Sequence, residues 1–109
     1  MSRPDKSARK AKLKAWRESE HAAARARHPL DDATLAVFFA HVEDRRARHG
    51  CFHDLRHASA VIEQLGLSDT EADALLDWCN ENGGYCDCEV AANAYGHWLE
   101  TRVQGRLQP

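Results

Sequence analysis

At 109 residues the chain has room for one domain, and 43% hydrophobic with 29% charged residues is the make-up of a water-soluble globular protein. Its longest unbroken apolar run, Leu35 to Ala40, is far too short to span a membrane, and the basic N-terminus lacks the apolar core of a secretory signal, so no membrane association and a cytoplasmic location are expected. The net charge of −2 hides an asymmetry: residues 1–28 hold nine Lys/Arg and three Asp/Glu, a net of +6, whereas residues 29–109 carry a net of −8.

The pattern predicts an all-α protein, a small bundle of four short helices plus a basic helical arm at the N-terminus. Residues 1–28 form the arm, rich in Ala, Lys, Arg and Glu, which favour helix. Its apolar positions Leu13, Trp16, Ala23 and Ala24 make only a thin stripe, so such a helix depends on docking to something. His28-Pro29 is the expected break.

Residues 29–109 form the helical domain. Asp31 can cap the next helix, with Leu30 and Leu35 as a hydrophobic staple, and Leu35, Phe38, Phe39 and Val42 have the spacing of one buried face. Arg45, Arg46, Arg48 and His49 suit its C-terminal dipole, and Gly50 stops it. Asp54 can cap a third helix with an apolar face of Leu55, Ala58, Val61, Ile62 and Leu65, ended by Gly66. Ser68 and Glu71 then read as a capping box for a fourth, which buries Ala72, Leu75, Leu76 and Cys79 and closes at Gly83. The last helix is expected from about Asp87 toward Val103, with Val90, Ala94, Trp98 and Leu99 inward and Gly96 weakening its middle.

A body of about 80 residues is close to the size at which a hydrophobic core alone barely suffices. Four cysteines in a cytoplasmic chain point to metal ligands, reactive thiols or core filler rather than a disulfide framework. Cys86 and Cys88 follow a Gly-Gly turn where the last helix begins, a place whose free N–H groups stabilise a thiolate. Cys51 and His53 stand two apart in the turn before the third helix, and His57 would share a helix face with His53 if both are helical. Zinc takes four such sulfur and nitrogen donors in a tetrahedron, so Cys51, His53, Cys86 and Cys88 are the candidate ligands, with His57 as a substitute for His53. Two other readings stand beside it: the thiols as small buried hydrophobes, or Cys86 with Cys88 as a strained, labile redox pair. Cys79, mid-helix at a core spacing, reads as structural. Asp87 and Glu89 read as acids of the helix N-terminus, and His21, His28, His41, His49 and His97 as structural or solvated.

The segment "GGYCDCEV" at residues 83–90, with Asn93 after it, resembles the signature of a bacterial family, domain of unknown function 2695. "CFHDLR" at 51–56 is similar to an upstream C-D-H-T-L-R element of that family, matching at Cys51, His53, Leu55 and Arg56 and departing at Phe52 and Asp54. Ala91 departs as well, standing where the family tends to have leucine. The resemblance covers about residues 30–95, spares every candidate ligand, and implies no established activity.

The expected function is that of a zinc-stabilised, non-catalytic helical module that binds a macromolecular partner. Nucleic acid is a candidate partner through residues 1–28, whose cations could meet phosphates and whose Trp16 could stack on a base. The alternatives are a thiol/zinc redox sensor and a zinc-dependent enzyme, the latter needing an open metal position and a nearby base such as Glu89 or Asp87.

Overall fold

A computed structural model describes residues 6–103, and within them the chain is helical, with no strand. The order is α1 (Lys6–Ala26), α2 (Asp32–His49), α3 (Arg56–Gln64), α4 (Asp69–Glu81) and a final helical stretch, α5 (Asp87–Glu89), a π-helical turn (Val90–Ala94) and α6 (Tyr95–Thr101).

The ends of these helices are set by local chemistry. Asp31 Oδ1 accepts from the Thr34 N–H at 2.7 Å, and Leu35 beneath it is buried against a partly buried Leu30. Ser68 and Glu71 form the reciprocal capping box at the start of α4. At the end of α4, the Gly83 N–H donates to Asn80 O and the Gly84 N–H to Cys79 O at 2.7 Å. That closing motif needs a left-handed residue, and Gly83 supplies it with φ +84°.

The core is one cluster: Leu35, Phe38, Phe39 and Val42 from α2; Ala58, Val61 and Ile62 from α3; Leu75, Trp78 and Cys79 from α4; Val90, Ala94 and Trp98 from the last stretch. Phe39 is the hub, its ring 5.3 Å from Tyr95, 5.6 Å from Trp98 and 6.1 Å from Trp78. Burial pushes the Cys79 thiol up to about 12, in keeping with a structural cysteine.

Three expectations need correction. Asp54 does not stand at the cap position of α3. Leu55 does, without a side-chain bond, and the Asp54 carboxylate is taken up by Arg56, accepting from its backbone N–H at 3.1 Å and from its guanidinium at 2.8 Å. The last helix is irregular at Val90–Ala94 rather than at Gly96, which lies within regular α6. The wider turn lets Asp87 keep its bonds to α3 while Val90, Ala94 and Trp98 all stay buried. His53 has φ +62° and precedes α3, so it shares no helix face with His57.

Among the described residues the arm docks by its C-terminal turns. Ala24 is buried, Arg25 Nε donates to Thr101 O at 2.8 Å, and His28 Nε2 lies 2.8 Å from Thr101 Oγ1. Leu13 and Trp16 are 50% and 61% exposed, so the N-terminal part of the apolar stripe is left uncovered among the described residues. No helix among the described residues is long and apolar enough to cross a membrane.

Candidate functional site

Two turns, distant in sequence, are clamped together by one carboxylate. Asp87, fully buried at the start of α5, accepts from the His57 N–H at 3.0 Å and the Ala58 N–H at 2.9 Å. Those are two of the orphan donors at the start of α3, the helix that lacks a cap of its own. The Asp87 N–H in turn donates to Asp54 O at 2.9 Å. The acid between the two cysteines therefore caps another helix, not its own.

The clamp gathers side chains into one cleft, about 430 Å³, lined by Cys51, His53, Tyr85, Cys86, Cys88 and Glu89. The second turn is held by close backbone packing. A Cβ on Gly84 would stand 3.0 Å from Cys79 O and from Val90 Cγ2, and the Asn93 side chain donates to Gly83 O at 3.0 Å. Glu89 Oε1 accepts from the Tyr85 N–H at 3.2 Å.

The three thiols are half-buried and unbridged, and they feel one another's ionisation. The Cys88 thiol and the His53 and Cys88 backbone N–H groups donate to the Cys51 sulfur and hold it below the usual thiol range. Cys88 is raised, since its proton serves Cys51 and burial disfavours its charge, although Arg46 pulls the other way. Cys86 is also raised: its Glu89 N–H favours the thiolate, but burial and the charge on Cys51 outweigh it. The three thiols therefore titrate as one group, in which the surroundings favour the thiolate at Cys51.

The histidines differ. His53 is exposed, lines the cleft, and its ring forms no hydrogen bond to a described residue. His57 is buried, with Nε2–H donating to Gly50 O at 2.8 Å, and Nδ1 has no hydrogen-bond partner among the described residues. Cys51, His53, Cys86 and Cys88 thus line one cleft, and His57 is not among its lining residues. Among the described residues no group of three or more His, Cys, Asp or Glu is drawn tightly enough to hold a metal ion. The donor set is the soft sulfur-and-imidazole kind that suits zinc; the side chains converge without forming a cage.

Sequence reasoning missed the clamp. An acid flanked by cysteines looks like a helix-start residue, and a partner thirty positions away leaves no local signal.

Fold and cleft define a small all-helical protein whose distinguishing feature is a cluster of thiols where two turns meet. The chain belongs to the family described as "Protein of unknown function (DUF2695)", which matches residues 38–93 and so contains both turns of the cleft. Relatives include uncharacterized proteins Rv2271 of Mycobacterium tuberculosis and Mb2294 of Mycobacterium bovis. Each is 31% identical over 90 residues, covering 83% of this chain and 88% of the relative. No solved structure matches the chain significantly.

Proposed function

We propose that the protein is a zinc-stabilised helical module that binds a macromolecular partner, with Cys51, Cys86, Cys88 and His53 holding the ion. The observation that carries this reading is the convergence of three thiols from two turns on one cleft, with an imidazole on its rim. His53 is the fourth donor rather than His57, because its ring is exposed and uncommitted, whereas the His57 ring is tied to Gly50. When bound, zinc supplies thiolate and imidazole bonds across the two turns, worth about 10–16 kcal/mol of apparent folding energy in small domains. Four protein donors suit a structural site, not a hydrolytic one.

The partner side of the proposal rests on α1. Lys6, Arg9, Lys10, Lys12, Lys14 and Arg17 precede its first acid, Glu18, and the helix is exposed through residue 20. A projecting cationic helix with a bare Trp16 suits a nucleic acid, where cations meet phosphates and release counterions.

Metal content of the purified full-length chain tests the first part: one equivalent of zinc is expected, lost in Cys51→Ser, Cys86→Ser and Cys88→Ser. Cobalt should replace zinc and give thiolate-to-metal absorption; protein that holds neither ion overturns the reading. For the second part, Lys10→Gln/Lys12→Gln/Lys14→Gln should weaken binding to a duplex and flatten its salt dependence by about two to three counterions. Unchanged affinity removes the arm.

A second reading has its own support in the depressed Cys51 thiol beside two protonated ones. Peroxide would oxidise Cys51 and Cys88 to a disulfide and be reduced to two waters, expelling zinc. Zinc that stays bound while the thiols oxidise excludes this switch.

A further inference from the structure

A second hollow, about 770 Å³, runs along α2 and the final helical stretch. Its floor is the buried pair Phe39 and Trp98, and its walls are Ala36 and Ala40 on α2 and Ala91 and Ala92 on the π-helical turn. Short side chains on both walls are why the space exists. From Ala36 to Arg46 the groove follows α2 for about 15 Å at the rise of a helix. Its volume is that of a small-molecule site. The π-helical turn is an independent pointer, since such wide turns are found disproportionately at functional sites, and this one supplies a wall.

Charge gives the groove a direction. At one end Arg46 is already held by Glu43 through two hydrogen bonds, 2.7 and 2.9 Å. At the other, the Arg102 guanidinium lies over the Trp98 ring, 5.1 Å from its centroid, and forms no ion pair with a described residue. An aromatic floor with one uncommitted cation at one end matches a slender apolar body carrying one acid.

We infer that the groove is a binding site for an apolar monocarboxylate, its carboxylate on Arg102 and its chain along Phe39 toward Cys88. The acid makes a charge-assisted hydrogen bond to the guanidinium, and the chain covers the Tyr95 ring and the alanine methyl groups now open to water. Cys88 lines both the groove and the thiol cleft, so the far end of the ligand reaches the wall of that cleft.

Calorimetric titration of the full-length protein with decanoate, and with 1-decanol as the uncharged counterpart, tests the assignment. One saturable decanoate per chain is expected. Ala36→Leu and Ala92→Leu, which fill the groove from opposite walls, should each weaken both ligands at least about tenfold. Arg102→Gln should weaken decanoate about tenfold and leave decanol unchanged. Thermal melts identify any variant that fails to fold, and the two wall variants stand in for each other. Absence of saturable binding, wild-type affinity in the folded wall variants, or equal loss of both ligands in Arg102→Gln overturns the proposal.

Discussion

Asp87 ties the start of a helix thirty residues earlier to the turn that carries Cys86 and Cys88, so a single carboxylate sets where the thiols meet. Its removal should be felt twice. Asp87→Ala leaves two buried N–H groups unpaired, and urea unfolding should show a loss of about 2–4 kcal/mol. Asp87→Asn keeps one acceptor and should lose about half as much. The second effect is on chemistry: with the two turns unclamped, Cys51 drifts from Cys88 and loses the donor that holds its thiol low. The pH midpoint of its alkylation should therefore rise in Asp87→Ala. An unchanged midpoint would mean that the clamp does not organise the cleft.

At the scale of elements, the turn between α4 and α5 matters most. Gly83 takes the left-handed conformation that ends α4, and Gly84 lets the chain pass against Cys79 O and Val90. Gly84→Ala forces backbone apart, since its nearest neighbours include a carbonyl oxygen, and should cost about 1–3 kcal/mol in a denaturant titration. Gly83→Ala should cost about 1 kcal/mol from the strained φ, and its Cβ would in addition crowd the Asn93 side chain at 3.2 Å. Gly66, also with positive φ but with open space around it, should show only the strain, which makes Gly66→Ala the control. The final helical stretch shows a related economy: its π-helical turn takes up the extra residue that separates the clamp from the core-facing positions.

For the whole molecule, the arm's attachment is the weak joint. His28 sits with its ring edge toward Trp78 and within 2.8 Å of Thr101, and His97 lies near the same indole. Burial lowers the proton affinity of both rings, and for His28 it outweighs the pull of Asp32. The folded state therefore resists protonation that the unfolded chain accepts near pH 6.5. This contribution to stability is complete above that pH and is lost as pH falls through the lower folded values. Thermal melts between pH 7.5 and 5 should show the decline, and His28→Gln should flatten it. A decline of the same size in His28→Gln would move the cause elsewhere. The Lys→Gln changes on α1 should leave the melting temperature nearly unchanged, because Lys10, Lys12 and Lys14 are exposed.

Helix positions, the buried faces of α2 to α4 and the capping box at Ser68 were legible in the sequence because each arises from neighbours three or four residues apart. Cys51, His53, Cys86 and Cys88 were legible as paired soft donors at two helix starts, whereas the cleft they line is set by the fold. The role of Asp87, the capless start of α3, the left-handed His53 and the groove between alanine walls were not legible. Each depends on which backbone lies opposite, and no local pattern encodes a partner thirty or more residues away. The sequence by itself determined the helices and the stock of soft donors. Tertiary structure decided which donors face each other and where space is left, because packing alone sets those distances.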